Sequence, residues 1–466
     1  MPIAWLPSLL YTNGRFESGA AILCDREGEI TGLEREPENV SHPTRLNGQA
    51  MLPGLVNAHS HAFQRVIRGR TERRTSAKDS FWTWREMMYS AAERLTPEDI
   101  YDASRMAFLE MALGGITAVG EFHYIHNATD GQPYDDVNVM AKAVIKAARD
   151  VGLRIALLRV AYARSGFEVE SNVRQRRFIE AKPETYLRNV DALKSDIARE
   201  DSKTVRVGVA PHSIRAVPLD YLREIAKYAE KEGDTPLHMH VAEQPAEIEV
   251  SLAEYNRTPV QLLESEGILS ANFVAVHAIH ITSEEARALA RARAHVCACP
   301  TTERNLGDGI VPAEMLFAEG VPVSLGTDSQ AQIDLLEDAR ELEYNLRLRT
   351  LERAVLAPDD SGLSSLAARL FDCATVNGAH SIGIYGASSG QLVRGAAADF
   401  FTVDLNDPSI AGASTDDLLA HLVFGLSRTA VKDVFVGGKQ IVNDGRHAAQ
   451  EEIVERFRAL QKRLWG

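Results

Sequence analysis

The stretch Met51-Leu-Pro-Gly-Leu-Val-Asn-Ala-His-Ser-His61 decides the fold of this 466-residue chain. Its apolar residues up to Ala58 predict a short buried strand, and His59 and His61 follow at the carboxyl end of that strand. Side chains two residues apart in a strand point to the same face. Both imidazoles therefore lie on one side, as a metal ion requires of two nitrogen ligands. Taken alone, such a pair is also typical of two solvated histidines in a loop.

Outward from this stretch, residues 51–390 alternate helical patterns with short apolar runs. The later predicted strands are Ile116–Phe122, Arg154–Val160, Val205–Ala210, Pro236–Val241, Phe273–Val276, His295–Ala298 and Pro322–Leu325. Apolar strands that alternate with helices indicate a parallel sheet covered by helices. Eight such units predict an α/β fold, a (β/α)8 TIM-type barrel. A doubly wound open sheet is the alternative, disfavoured because no glycine-rich phosphate loop follows an early strand.

The two ends of the chain have a different pattern. Residues 1–50 and 391–450 are rich in short β-like pieces and turns, and neither segment is long enough to bury a core alone. Together they are expected to form one small β-sandwich domain. Residues 451–466 predict a C-terminal amphipathic helix.

Composition restricts the partners and the compartment. The formal net charge of -14 argues against nucleic acid and anionic membrane surfaces as partners. No apolar run approaches the ~20 residues of a membrane span, and no signal peptide opens the chain. Four cysteines are too few for a disulfide framework, so a reducing cytoplasm is expected. Cys297 and Cys299 are compatible with zinc binding, but buried packing is the favoured interpretation.

Polar residues recur where the predicted strands end. After the histidine pair, these groups are Glu121–Tyr124, Pro211–Arg215, His238–Gln244, His277 and Gly326–Ser329. The active sites of eight-stranded barrels lie at the carboxyl ends of the strands. Packing alone does not explain so many polar groups at the same end of successive strands, and a shared site is therefore predicted.

This pattern resembles the amidohydrolase superfamily, which has HxH after strand one, histidines after strands five and six, and aspartate after strand eight. The resemblance covers essentially the whole chain, including the split β domain, and implies one Zn²⁺ ion per chain. The implied ligands are His59, His61, His240 and Asp328. His240 is chosen over His238 because it has the HxxE spacing of the deaminase branch, which ends at Glu243. Iron or manganese could occupy the same ligands.

The chemistry follows from these residue types. Binuclear relatives carry a carboxylated lysine after strand three or four, and residues 159–163 and 210–213 contain no lysine, which indicates a single ion. Zinc lowers the pKa of a bound water to about 7. Asp328 is then expected to take the proton of the water, and Glu243 to protonate the leaving nitrogen. His277 is expected to hydrogen-bond the attacking water.

Longer motifs resemble the branch of the superfamily that acts on N-formimino-L-glutamate in histidine degradation, giving N-formyl-L-glutamate and ammonia. These motifs are Asn57–Arg65, Ser80–Glu86, Gly120–Tyr124, Ala210–Ala216, His240–Gln244 and Cys299–Gly309. That substrate is a small dicarboxylate, and guanidinium groups bind carboxylates bidentately. The candidate substrate-binding residues are Gln64, Arg85, Tyr124, His212 and Arg215.

One departure and two alternatives accompany this resemblance. Gln330 stands where the family pattern leads us to expect a histidine, which affects the surroundings of the ligands but not the ligand set. A deaminase of an aminated purine or pyrimidine such as guanine would use the same metal chemistry without needing two arginines. A non-enzymatic homologue would have lost ligands that this chain retains. The resemblance alone also suggests a homodimer.

Overall fold

The structure is a computed structural model that describes residues 3–73, 81–200, 203–359, 362–383 and 390–466. Ser80, the first residue of one substrate-related motif, lies outside the described residues. Within the described ranges, no helix combines the length and the apolar composition that crossing a bilayer requires.

The N-terminal segment consists of strands. They are β1 (Ile3–Thr12), β2 (Arg15–Glu17), β3 (Ala21–Cys24), β4 (Ile30–Glu34) and β5 (Thr44–Pro53). Strand β1 pairs with β2 and β3 in antiparallel fashion and with β5 in parallel.

Eight parallel strands then form the sheet that carries the site. They are β6 (Leu55–Ser60), β7 (Ile116–His123), β8 (Arg154–Ala161), β9 (Val205–Pro211), β10 (Leu237–Val241), β11 (Phe273–His277), β12 (His295–Ala298) and β13 (Val323–Leu325). Each strand pairs with its sequence neighbours, and a parallel bridge between Ser60 and Asp328 joins the last strand to the first. The predicted (β/α)8 barrel is confirmed.

Helices connect the strands and cover the barrel. They are α1 (Phe81–Ala92), α2 (Pro97–Leu113), α3 (Val139–Val151), α4 (Pro183–Arg199), α5 (Leu219–Lys231), α6 (Pro245–Tyr255), α7 (Pro259–Ser265), α8 (Ser283–Ala292), α9 (Pro300–Leu306), α10 (Ala313–Ala318), α11 (Leu335–Thr350), α12 (Ser365–Ala374), α13 (Val376–Ile382), α14 (Leu418–Gly425) and α15 (Gln450–Trp465). Helix α2 begins with a capping box, in which the side chains of Thr96 and Asp99 each bond the backbone of the other residue.

The C-terminal segment returns to the first sheet. Its strands are β14 (Phe400–Asp404), β15 (Val431–Val436), β16 (Lys439–Asn443) and β17 (Arg446–His447). Strand β14 pairs antiparallel with β5, so both chain ends contribute to one nine-stranded sheet. The prediction that the two ends combine into one β domain is confirmed, with its strands in a single sheet where a sandwich was expected. Trp5, Phe400 and Phe435 pack against each other in a core of its own, with ring centroids 4.4–5.5 Å apart. The exact domain limits stay a prediction.

The opening stretch 51–58 does not form one strand. Its first part belongs to β5, where Leu52 lies opposite Phe401 of β14, and its second part is β6. The division falls at Gly54, where an added Cβ would lie 2.2 Å from Oγ1 of Thr117. Only glycine permits this close approach. The chain therefore passes from the terminal sheet directly into the first barrel strand.

Small side chains fill the barrel interior. Val56, Ala118 and Cys297 belong to one buried cluster, together with Ala379 and Ile382 of α13. Helix α13 therefore contributes to the packing inside the barrel. Cys299 belongs to the same cluster, so both cysteines are buried among apolar groups, as the sequence favoured.

Candidate metal centre and active site

Three imidazoles converge at the carboxyl ends of β6 and β10, and we name them the histidine cluster (His59, His61 and His240). Nε2 of His59 lies 3.2 Å from Nε2 of His61 and 3.2 Å from Nε2 of His240. Oδ1 of Asp328 lies 3.5 Å from Nε2 of His59 and 3.2 Å from Nε2 of His61. All four side chains are buried. Three nitrogens and one carboxylate oxygen are therefore within common reach.

Hydrogen bonds at Nδ1 of two histidines in the cluster leave their Nε2 atoms able to bind a metal ion. Nδ1 of His61 lies 2.8 Å from the carbonyl oxygen of Phe122, and Nδ1 of His240 lies 3.0 Å from that of His212. A carbonyl only accepts, so each Nδ1 donates a proton and leaves the lone pair of Nε2 free. In the described part of the chain, Nδ1 of His59 is buried without a hydrogen-bond partner.

Electrostatics keep the cluster neutral. Burial lowers the pKa of His59 to about 3, and burial also lowers the pKa of His61 and of His240 below the usual range. Burial alone would raise the pKa of Asp328, but hydrogen bonding to His59 and the neighbouring imidazoles lower it. Neutral imidazoles and an ionised carboxylate form the donor set of a divalent ion such as Zn²⁺. The residues present therefore fit the implied metal.

His238, the alternative strand-five ligand, points elsewhere. Its Nε2 lies 2.9 Å from the carbonyl oxygen of Ser381 in α13, at the interior packing layer. Of the two histidines of β10, His240 and not His238 belongs to the group of ring nitrogens that lie within mutual reach.

Gln330, the departure from the family pattern, ties the ligand-bearing segments together. Its Nε2 donates to Oγ of Ser60 at 2.8 Å and to the carbonyl oxygen of Asp328 at 2.9 Å. Oγ of Ser60 donates to Glu121 at 2.6 Å, and the other oxygen of Glu121 accepts from the backbone N–H of Ala62 at 2.7 Å. The side-chain amide of Gln330 therefore links the end of β6 at Ser60 to the backbone of Asp328.

Three carboxylates surround His277 at the end of β11. Nε2 of His277 lies 3.8 Å from both Oε1 of Glu243 and Oδ2 of Asp328. Nδ1 lies 3.1 Å from Oε1 of Glu303. Burial alone would lower the pKa of His277, but Glu243, Glu303 and Asp328 together raise it well above its usual value. Burial raises the pKa of Glu243, which favours its protonated form.

Glu303 is a residue that the sequence analysis missed as part of the site. It lies in the first turn of α9, is 2% exposed, and also accepts from the backbone N–H of Cys299 at 2.9 Å. An acidic residue in the first turn of a helix is favoured by the helix dipole alone. Its sequence position therefore gave no signal of its contact with His277.

One pocket opens onto these groups. All five candidate substrate-binding residues line it, together with Glu243, His277 and Asp328. The other lining residues are His61 and His240 of the histidine cluster and the apolar and aromatic residues Phe81, Trp84, Met88, Tyr89, Tyr162, Phe178 and Leu306. Tyr162 directly follows the end of β8, so the strand-end rule could have found it.

Two arginines lie in this pocket, and we name them the arginine pair (Arg85 and Arg215). Nη1 of Arg215 donates to Oη of Tyr162 at 3.3 Å and to the carbonyl oxygen of Ser165 at 3.2 Å. The guanidinium of Arg85 lies 4.4 Å from the ring centroid of Trp82, and its buried Nε has no hydrogen-bond partner among the described residues. Burial lowers the pKa of Arg85, and the charge of Arg215 adds to this effect.

The arginine pair therefore favours an anionic ligand. Within the described ranges, neither guanidinium forms an ion pair with a carboxylate of the chain. Both side chains are half-buried, and cations withdrawn from water are normally paired, because desolvation without a counter-charge is unfavourable.

Neutral polar groups complete the pocket. Nε2 of Gln64 donates to Oη of Tyr124 at 2.9 Å, while the buried Oε1 of Gln64 has no partner among the described residues. Nδ1 of His212 lies 3.2 Å from Oγ of Ser213. Behind the pocket, Nε2 of Gln175 joins the hydroxyls of Tyr89 and Tyr162, at 2.6 and 2.8 Å, a contact the sequence did not predict.

Solved structures share this architecture. An amidohydrolase from Brucella melitensis superposes with a TM-score of 0.91 at 34% identity, covering 100% of both chains. An adenosine deaminase from Xanthomonas campestris with bound zinc superposes with a TM-score of 0.83, covering 99% of this chain and 98% of that one. At 21% identity, the second likeness concerns the fold alone.

Sequence comparison agrees with the fold. The profile of the Amidohydrolase family matches residues 50–441. The chain is 37% identical over 455 residues to the formimidoylglutamate deiminase of Pseudomonas aeruginosa, spanning 97% of this chain and 96% of that protein. The resemblance found in the motifs is thereby confirmed. This chain is a hydrolase acting on C–N bonds, and it belongs to the amidohydrolase family.

Proposed function

We propose that the protein is a zinc-dependent deiminase that hydrolyses N-formimino-L-glutamate to N-formyl-L-glutamate and ammonia. The observation that carries this proposal is the arginine pair, two half-buried cations in the pocket that also reaches the histidine cluster. A ligand with two carboxylates and a hydrolysable C=N bond matches both ends of that pocket. The extended similarity to a formimidoylglutamate deiminase supports the same substrate.

Binding is assigned to the arginine pair and its neutral neighbours. Arg85 and Arg215 would each hold a carboxylate through charge-assisted hydrogen bonds. The unpartnered Oε1 of Gln64 can accept a hydrogen bond from the substrate, and Tyr124 and His212 line the same wall. Anchoring at the carboxylates leaves the formimino group directed toward the histidine cluster.

The histidine cluster and Asp328 would hold one Zn²⁺, which when bound lowers the pKa of a water and so supplies a nucleophile near neutral pH. Asp328 accepts the proton of the attacking water. His277 donates a hydrogen bond from Nε2 to the oxygen of the attacking water, while its Nδ1 donates to Glu303.

Glu243 supplies the acid. Its raised pKa favours the protonated carboxyl group, whose proton goes to the imine nitrogen as water adds to the formimino carbon. Asp328 then passes the proton from water to the same nitrogen. The C–N bond to that nitrogen breaks and ammonia leaves, while the proton of the remaining hydroxyl returns to the Glu243 carboxylate and the carbonyl of the N-formyl product forms.

Deamination of an aminated ring is the second candidate function. The aromatic lining of the pocket, with Phe81, Trp84 and Phe178, favours it because a flat base stacks on aromatic side chains. A neutral base would leave both guanidinium groups of the arginine pair without a carboxylate partner among the described residues. We therefore favour the dicarboxylate.

The test is ammonia release from N-formimino-L-glutamate, guanine and cytosine by the zinc-loaded protein. We expect turnover of the first compound only. N-formiminoglycine, which has the same C=N bond but one carboxylate, is the matched control and should react with a much higher KM. Turnover of a ring compound without turnover of N-formimino-L-glutamate would overturn the proposal. The homodimer stays a prediction from the family resemblance.

A further inference from the structure

Asp328 presents its two carboxylate oxygens to different ligand groups. Oδ1 lies 3.2 Å from Nε2 of His61 in the histidine cluster, whereas Oδ2 lies 3.8 Å from Nε2 of His277. A carboxylate with this orientation can bridge two cations, which lie about 3.5–4 Å apart in two-metal hydrolase sites. The oxygen of Asp328 that faces His277 is therefore placed to serve as a ligand of a second ion.

A thiol completes the ligand set on that side. Cys299 follows the end of β12 and is fully buried, and its Sγ, a ring nitrogen of His277 and a carboxylate oxygen of Asp328 all lie within 4.8 Å of one another. Sulfur, imidazole and carboxylate are together ligands of zinc, and sulfur selects for thiophilic ions. The histidine cluster offers no sulfur, so the two ligand sets differ in chemistry.

We propose that His277, Cys299 and Asp328 form a second cation site, which takes a thiophilic divalent ion such as Zn²⁺ or Cd²⁺. An ion there uses the imidazole and the carboxylate that the proposed function assigns to the attacking water. Excess ion is therefore expected to inhibit hydrolysis. That consequence rests on the proposed function, whereas the binding of the ion does not.

The chain offers a matched control. Cys297 lies two residues earlier on β12 and belongs to the same buried interior cluster, but it is not part of the ligand group. If Cys299 serves only to fill the barrel interior, replacement of either cysteine should have the same effect on ion binding.

The experiment starts from protein loaded with one equivalent of Zn²⁺ and titrates Cd²⁺ while recording the ultraviolet charge-transfer band of a cadmium–thiolate bond. Wild type and Cys297→Ser should develop the band, with saturation at one further equivalent, and should lose activity in parallel. Cys299→Ser should show no band, and half-inhibition should require at least about tenfold more Cd²⁺. Cys299→Ala provides the same comparison if the serine variant does not fold.

Two results would overturn the second site. One is a band that persists in Cys299→Ala, and the other is its loss in Cys297→Ser but not in Cys299→Ser. A protein that binds the further ion through Cys299 but does not hydrolyse N-formimino-L-glutamate would support this site while overturning the proposed function.

Discussion

The histidine cluster and the arginine pair lie in one pocket but are held by different means. The imidazoles stand at strand ends, and backbone carbonyls fix two of them through Nδ1. Arg85 instead lies on α1, outside the barrel sheet, and its guanidinium contacts aromatic rings. The cluster is thus part of the barrel framework, while half of the arginine pair depends on how a peripheral helix packs. We expect substitutions beside the histidine cluster to lower kcat mainly, and substitutions in the arginine pair to raise KM mainly.

The largest expected effect is at the cluster end. Glu243→Gln removes the proposed acid and keeps the shape of the side chain, so kcat should fall about 10²–10⁴-fold. KM and bound zinc should change little, because Glu243 is not among the proposed ligands. Steady-state kinetics and metal analysis of the same sample check both points. A variant with wild-type kcat would exclude Glu243 as the acid.

Arg215→Met tests the role of the arginine pair in substrate binding. Loss of one charged hydrogen-bonding partner should cost about 1.5–3 kcal/mol of substrate binding, mostly as an increased KM. The matched control is Arg206→Met, at the opposite end of β9, where the arginine contacts Asp234 away from the pocket. A fall in kcat with unchanged KM would contradict the division between chemistry and binding.

Gln330→Leu tests whether the framework of the cluster depends on the amide. The substitution removes the hydrogen bonds to Ser60 and to the backbone of Asp328, so zinc affinity should fall by about tenfold or more. Competition with a chelator measures this change. Gln330→Glu keeps an acceptor for Thr327 and should retain more affinity than the leucine variant. Equal affinity in all three proteins would show that the network does not support the ligands.

The smallest effect is a displacement of the pH profile in Glu303→Gln. Glu303 contributes to the raised pKa of His277, so removing its charge lowers that pKa. Protonated His277 is the proposed donor, and its proton is lost as pH rises through the pKa. The alkaline limb of the kcat profile should therefore move to lower pH. Glu303→Asp keeps the negative charge and should leave the limb close to its wild-type position. An unmoved limb with reduced stability would indicate a packing role only.

Residue spacing predicts the placement of the histidine cluster better than that of the arginine pair. His59 and His61 follow from the two-residue period of strands and from the common edge of a parallel barrel, whereas the choice of His240 over His238 came from the HxxE spacing of the family. No such period relates Arg85 to Arg215, whose approach depends on the packing of α1. Their joint placement came from family motifs, not from residue spacing.

The local pattern also could not divide residues 51–58 between two strands. Apolar residues run through Leu52, Pro53 and Leu55, so pattern alone predicts one strand. The break depends on β14, which is distant in sequence and pairs with Leu52, and on the close contact of Gly54 with Thr117.

The bridge between the first and last barrel strands has a consequence for folding. Backbone N–H of Asp328 donates to the carbonyl oxygen of His59 at 3.0 Å, and that of His61 donates to the carbonyl oxygen of Asp328 at 2.9 Å. Proposed metal ligands thus lie on both sides of the seam where the barrel closes. A divalent ion that binds them would fasten this seam and, by mass action, favour the native state. Thermal resistance of the protein should therefore rise with the concentration of free ion.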